Sequence, residues 1–259
     1  MLALCPVLAA AARTGYGRLT HRLEPEEPPI VDIALVHGSH HGAWCWDFLR
    51  PELERMGHDV MAVDLPISQP GLGAAEYAAV VDAAFDPASE PVLVGHSMGG
   101  LVIPLVAARR PVRRLIFLAA MLPSPGRSAN EQRASEAIDG RVPPTTSEWT
   151  DLGNDVWAVG ATTATELFYH DAQPAVARWA TARLRPQCYQ VMSETTPLTE
   201  WPDVACRSVV CRADRALNPD WGRTAARERL GIDAIEIDGA HSPFLTRPAE
   251  LARLLDTLA

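Results

Sequence analysis

An apolar run, Pro91-Val92-Leu93-Val94, passes directly into Gly95-His96-Ser97-Met98-Gly99-Gly100 and then into the apolar stretch Leu101-Val102-Ile103. A GxSxG pattern alone is weak, since any glycine-rich turn can produce it by chance. Between a buried strand and an apolar helix it becomes the signature of a sharp strand-to-helix turn with the serine at its apex. Gly95 and Gly99 belong there because a Cβ at either position would strike neighbouring backbone. The turn lifts Ser97 above the sheet at the start of a helix, where backbone N–H groups can stabilise a developing oxyanion.

The rest of the chain suits such a turn. From Ile30 onward, short apolar runs alternate with helical patterns, which predicts an α/β fold with a mostly parallel central sheet flanked by helices. Strands are expected at Ile33–Val36, Val60–Val63, Pro91–Gly95, Leu115–Leu118, Ser208–Cys211 and Ala234–Ile237. Trp46, Leu49, Leu53 and Met56 recur at helical spacing up to Gly57, and further helices are expected over Ala74–Phe85, after Ser97, over Ala225–Leu230 and from Pro248. Pro104 lies inside the helix after Ser97 and should kink it. Four segments result: an extension and linker over 1–29, a first core part over 30–122, a small helical cap insertion over 123–202, and a second core part over 203–259. In the insertion the alternation stops, and prolines, tryptophans and helical patterns around 162–185 replace it. There is no internal repeat or low-complexity tract.

The 259 residues suffice for a core that needs neither disulfides nor a structural metal. The net charge of −9 repels nucleic acid and anionic lipid, so neither is an expected partner. All 23 basic residues are arginine. The absence of lysine excludes Schiff-base chemistry, pyridoxal phosphate attachment and a P-loop lysine. Five cysteines, with no CxxC pair, read as reduced and mostly buried, which fits a cytoplasmic protein. Leu2–Ala12 is apolar like the core of a secretion signal, but no positive charge precedes it and Cys5-Pro6 interrupts it; a cleaved leader is the minority alternative. No stretch is long and apolar enough for a membrane span.

A serine becomes a nucleophile when a histidine takes its proton, and that histidine needs an acid to hold its tautomer. Among the eight histidines, His241 is the natural base, in the loop Asp238-Gly239-Ala240-His241 after the last expected strand. Asp214, leaving the sheet after the preceding strand, is the expected acid, with Asp220 and Asp238 as alternatives. Asp220 is placed to begin a helix, and Asp238 is too near His241 in sequence to approach its ring from behind. The oxyanion donors are expected to be the backbone N–H groups of Met98 and of Ser39, in the loop His37-Gly38-Ser39-His40-His41-Gly42-Ala43-Trp44. Three histidines in that loop invite a metal reading, but no distant cluster offers a further ligand, so no metal is expected.

These positions resemble the α/β-hydrolase superfamily from about Ile30 to the C-terminus. The likeness is strongest to the branch of small plant-type methyl-ester esterases, hydroxynitrile lyases and their bacterial esterase relatives. Val36-His37-Gly38, His41-Gly42-Ala43-Trp44-Cys45-Trp46, the Ser97 turn, Leu167-Phe168-Tyr169 and Leu184-Arg185-Pro186 carry it. The resemblance implies an α/β-hydrolase fold with a small cap and a cofactor-free serine hydrolase acting on small, fairly apolar carboxylic esters. Hydroxynitrile lyases of this type place a threonine after the loop histidine and a lysine after the catalytic histidine; here those positions are Gly38 and Ser242. The lysine's charge stabilises departing cyanide, so the ester reading is preferred. A thioesterase, a lactonase or another dedicated hydrolase of secondary metabolism uses the same residues and is the alternative; a non-catalytic ligand-binding protein is the remaining one.

Residues expected to line a substrate pocket are Gly38, His40, His96, Leu122, Trp149, Phe168 and Tyr169, with Trp157 a further aromatic of the insertion. The competing reading for the aromatics is packing of the cap onto the sheet. His170, Asp171, Arg178, Arg183 and Arg185 read as a solvated helix face.

Overall fold

The computed structural model describes residues 30–259. The leader-like run and the linker lie outside the described residues. In chain order the elements are β1 (Asp32–Val36), α1 (Arg50–Arg55), β2 (Asp59–Val63), α2 (Ala74–Asp82), β3 (Val92–His96), α3 (Ile103–Ala107) and β4 (Arg114–Leu118). There follow α4 (Ala129–Ser135), β5 (Trp149–Asp151), β6 (Val156–Val159), α5 (Ala161–Phe168), α6 (Pro174–Thr181), β7 (Gln187–Cys188) and α7 (Gln190–Ser193). The chain closes with β8 (Cys206–Cys211), α8 (Pro219–Leu230), β9 (Ile235–Ile237), α9 (Pro243–Thr246) and α10 (Pro248–Leu258). Short 3-10 helices span Ala43–Trp46 and Ser97–Leu101.

Six strands form one parallel sheet in the order β2-β1-β3-β4-β8-β9. Its strands are apolar on both faces, as a sheet covered by helices on both sides requires. Ala34, Val36, Leu93, Leu115 and Phe117 face the core shared with α2, α3 and α8. Ile33, Leu35, Val94, Ile116 and Leu118 face the opposite core, under α1 and α10. Strand order reverses between β1 and β3, so the loops leaving their carboxyl ends diverge and open a crevice between them. Ser39 and Ser97 lie on the two loops that border it.

Three expectations change. Pro104 does not kink a continuous helix. The segment after Ser97 is split at Val102, with a 3-10 turn before it and α3 after it, and Pro104 occupies the first turn of α3, where its missing N–H leaves no hydrogen bond unmade. The insertion between β4 and β8 is not purely helical either. It also holds a three-stranded antiparallel sheet, β5-β6-β7. All three residues of β5 are exposed and β7 has only two residues, so neither leaves an alternating apolar pattern to read. The helix expected over Ala225–Leu230 begins earlier, at Pro219. The Asn218 side chain accepts the Asp220 N–H at 3.1 Å, and Gly231 at φ +66° ends the helix.

Candidate active site

Ser97 sits at the apex of the turn between β3 and its 3-10 helix with φ +52°, a left-handed conformation that costs a non-glycine residue energy. The surrounding backbone holds it there by close approach. A Cβ on Gly95 would lie 2.8 Å from the Gly99 carbonyl oxygen, and one on Gly99 would lie 2.6 Å from that of Val36. Gly38 packs against the same turn, and a Cβ on it would stand 2.6 Å from Ser97 Cβ. Gly38 is therefore the contact that lets the β1 loop and the Ser97 turn meet.

Asp214 follows β8 and His241 follows β9, both buried. Asp214 Oδ2 accepts from His241 Nδ1 at 2.8 Å. The other carboxylate oxygen, Oδ1, accepts the N–H groups of Ala216 at 2.8 Å and Leu217 at 2.9 Å. The carboxylate is thus fixed at both oxygens, and the His241 proton is directed to Nδ1, leaving Nε2 as the basic nitrogen. The other two carboxylates are occupied elsewhere. Asp238 is exposed and pairs with Arg212 at 2.8 Å, while Asp220 lies in the first turn of α8 with Arg223 and Arg141 as partners. Ser97 Oγ makes no hydrogen bond to a described residue; such bonds are often long in ligand-free enzymes and tighten with substrate.

The loop after β1 is set by its histidines. Leu65 N–H donates to His37 Nε2 at 3.0 Å, so Nδ1 carries the proton and donates to the Gly38 carbonyl at 2.9 Å. In a trans peptide the carbonyl and the following N–H point opposite ways. Pinning the Gly38 carbonyl to His37 therefore turns the Ser39 N–H away from His37. Neither the Ser39 nor the Met98 N–H has an acceptor among the described residues. His41 Nδ1 donates to the Ser39 carbonyl at 2.7 Å and its Nε2 accepts from Tyr169 Oη at 2.8 Å. His40 Nδ1 donates to the Arg185 carbonyl at 3.1 Å and its Nε2 accepts from Tyr189 Oη at 3.1 Å. Every ring nitrogen of the three is occupied, so the cluster has no free lone pair for a metal.

Burial is also what keeps these rings neutral. It pulls His37 and His40 down to about 4 and His41 to about 3, against the carbonyl bonds that work the other way. His96 is pushed well below its ordinary value by burial and then by the neighbouring His241 and His41. Its Nε2 donates to the His241 carbonyl at 2.9 Å, and its ring lies 4.6 Å from the His241 ring.

A cavity of about 800 Å³ opens over the turn, and Ser39, His40, Ser97, Met98, Trp149 and Phe168 line it. Trp157, Leu167, Tyr189 and Arg215 extend its wall. Phe168 covers the His241 ring, with centroids 5.7 Å apart. Four expected pocket residues do not line the cavity. Gly38 packs on Ser97, His96 lies beneath His241, Leu122 is buried in the core with its carbonyl bound to Arg229, and Tyr169 is spent on His41.

Three residues read as a solvated helix face have other partners. His170 Nε2 donates to the Ala213 carbonyl at 2.8 Å, directly before Asp214. Arg185 donates from Nε at 3.0 Å and Nη2 at 2.8 Å to the His41 carbonyl, and both its Nη atoms meet Asp64, at 3.1 and 3.0 Å. Its backbone N–H also donates to the His40 carbonyl at 2.8 Å. Asp171 Oδ2 accepts the Ala240 N–H at 3.0 Å, directly before His241, and the Thr246 hydroxyl at 3.4 Å. The sequence separations of the Arg185 and Asp171 contacts, from 69 to 145 residues, explain why no local pattern flags them. Arg178 remains exposed as expected.

Residues 33–254 match the alpha/beta hydrolase family. Over 264 aligned residues the chain is 28% identical to Methylesterase 3 of Arabidopsis thaliana, covering 90% of this chain and 98% of that one. Its fold superimposes on the crystal structure of polyneuridine aldehyde esterase with a TM-score of 0.74 and 22% identity, over 89% of this chain and 100% of the other. A pyrethroid hydrolase from Sphingobium faniae JZ-2 gives a TM-score of 0.70 and 22% identity, over 89% and 97%.

Proposed function

The chain belongs to the alpha/beta hydrolase family, and on that premise we propose that it is a serine carboxylic-ester hydrolase working through an acyl-enzyme on Ser97. The observation that carries this reading is the buried His241–Asp214 pair, fixed at both carboxylate oxygens and packed on His96, the residue before a serine held at positive φ on the wall of a large cavity. Names of similar proteins, a methylesterase and a pyrethroid hydrolase, support ester cleavage as the reaction class.

In this mechanism His241 Nε2 takes the proton of Ser97 Oγ as the oxygen attacks the ester carbonyl. The Ser39 and Met98 N–H groups receive the oxyanion, and Asp214 stabilises the imidazolium that forms. His241 then protonates the departing alcohol. Water, deprotonated by the same ring, releases the acid and restores Ser97. No cofactor or metal enters these steps. The insertion over 123–202 serves as a cap, supplying Trp149, Trp157 and Phe168 as an apolar wall for the substrate. Its partner is a small ester molecule, and no helix among the described residues is long and apolar enough to cross a membrane.

Hydrolysis of p-nitrophenyl acetate, butyrate and octanoate by the wild type and by Ser97→Ala tests the reading. Turnover that falls to background in the variant supports it; Ser97→Ala with normal turnover overturns it.

A further inference from the structure

One polar contact in the cavity has its direction fixed by chemistry. The Arg185 carbonyl can only accept, so His40 Nδ1 must carry the proton of that neutral ring. His40 Nε2 is then a bare lone pair, and the Tyr189 hydroxyl must donate to it. With its hydrogen committed, the Tyr189 oxygen presents only acceptor lone pairs. Burial holds His40 at about 4 and pushes Tyr189 up to about 12, so neither changes charge near neutrality.

Both residues line the cavity, and the hydrogen bond joins their side chains there. His40 is a built feature rather than a loop residue that happens to reach inward. It is buried, its backbone stands at φ +63°, and Trp149 packs on its ring at 5.6 Å. Arg133, also on the cavity wall, is engaged through Nε and Nη2 with Asp139, at 2.8 and 2.7 Å. The surrounding wall is largely apolar, with Trp149, Trp157, Leu167 and Met192. A donor arriving at Tyr189 meets an unsatisfied acceptor, whereas an ether or a carbonyl oxygen at the same place meets lone pairs.

We infer that Tyr189, oriented by His40, is a substrate-recognition residue that selects esters carrying a hydroxyl group away from the scissile bond. This deepens the ester-hydrolase reading and rests on it for the identity of the reaction. The hydroxyl gains a charge-neutral hydrogen bond at the phenol oxygen of the half-buried Tyr189. An analogue lacking the donor leaves a desolvated acceptor without a partner, which is how sites built for hydrogen bonding reject close analogues.

The test uses methyl esters of ω-hydroxyalkanoic acids paired with their ω-methoxy counterparts over a series of chain lengths. kcat/KM is measured for the wild type and His40→Gly/Tyr189→Phe, and Kd is measured calorimetrically with Ser97→Ala. The hydroxy ester should exceed its methoxy partner by about tenfold at the length that reaches Tyr189, in kcat/KM and in binding alike. In His40→Gly/Tyr189→Phe, which also removes the His40 Nε2 lone pair that loss of the phenol hydroxyl would expose, the ratio at that length should fall to about one. Because the ratio is internal to each variant, a general loss of activity cancels. Wild-type ratios near or below one at every length, or a ratio that survives in His40→Gly/Tyr189→Phe, overturn the inference while leaving the esterase intact. Hydroxyl-selective binding to Ser97→Ala without wild-type turnover of any ester would overturn the proposed reaction and leave the recognition site standing.

Discussion

Replacing Asp214 with asparagine swaps one oxygen for an NH2 group, and the contacts decide which oxygen. The Ala216 and Leu217 N–H groups converge on Oδ1, at 2.8 and 2.9 Å. If the new amide placed its NH2 there, two buried donors would face another donor, at about 1–3 kcal/mol for each lost partner, or roughly 2–6 kcal/mol in all. The amide oxygen therefore stays at the Oδ1 position, and the NH2 turns toward His241 Nδ1. That nitrogen must then accept, so the proton moves to Nε2 and the ring can no longer take a proton from Ser97. At the middle of that range the productive orientation holds on the order of a thousandth of the molecules, taking about 1.4 kcal/mol per decade. The loss of the negative charge that stabilises the imidazolium lowers the rate further. Asp214→Asn should thus reduce kcat on p-nitrophenyl butyrate by about 10⁴, the scale seen when serine hydrolases lose this carboxylate, with KM nearly unchanged. The Tm should shift by only a few degrees, since every backbone partner is retained. Asp214→Asn keeping more than a tenth of wild-type kcat would refute the reasoning, and a matching loss in Asp238→Asn would point to the wrong acid.

The neutral histidines make stability depend on acidity. Unfolded, each ring takes up a proton near 6.5, whereas folded His37, His40 and His41 resist until about 4, 4 and 3. Between these limits the unfolded state binds more protons, so stability falls as pH falls, by up to about 1.4 kcal/mol per pH unit for each ring; the Tm should drop steeply below pH 6, and a flat Tm down to pH 5 would contradict this. Arg185→Lys offers one ammonium where a guanidinium spans Asp64 and the His41 carbonyl. kcat should fall by about tenfold, while the exposed Arg178→Lys changes nothing; equal kinetics in the two variants would remove Arg185 from the account. Asp171→Ala strips the acceptor from the Ala240 N–H and should lower kcat by roughly 10-fold to 100-fold, since about 1–3 kcal/mol of restraint on the His241 loop is lost. An unchanged kcat would mean that the loop holds itself.

The sheet was legible because its strands are short, apolar on both faces and separated by helical periods. The Ser97 turn was legible because three glycines in six residues have no other use beside a buried strand. Asp214 and His241 could be paired from chain order alone, and the structure brings them to 2.8 Å. What escaped depends on contacts across the chain. Arg185 and Asp171 look like solvated residues in any local window, and only folding reveals that their partners are the His40, His41 and Ala240 peptides. An aromatic in the insertion has the option of lining a pocket, but the Tyr169 hydroxyl instead finds the one nitrogen of His41 that needs a donor. The small β5-β6-β7 sheet escaped because strands of two to four residues are shorter than a periodicity can register.

These contacts converge on two loops. Arg185 from the insertion holds the His40 and His41 carbonyls, Tyr169 holds the His41 ring that in turn donates to the Ser39 carbonyl, and Asp171 holds the peptide before His241. The insertion thus braces the loop after β1 and the loop after β9, while its Trp149, Trp157, Phe168 and Tyr189 line the cavity. A cap joined to the core only through apolar packing could shift to admit a substrate without disturbing the reacting groups. Here a shift of α5 or of the segment after α6 must strain or break directional hydrogen bonds to buried peptides, each costly to leave unmade. Binding in the cavity and the alignment of Ser39 and His241 are therefore mechanically one event, and substitutions in the insertion should appear in kcat as readily as in KM.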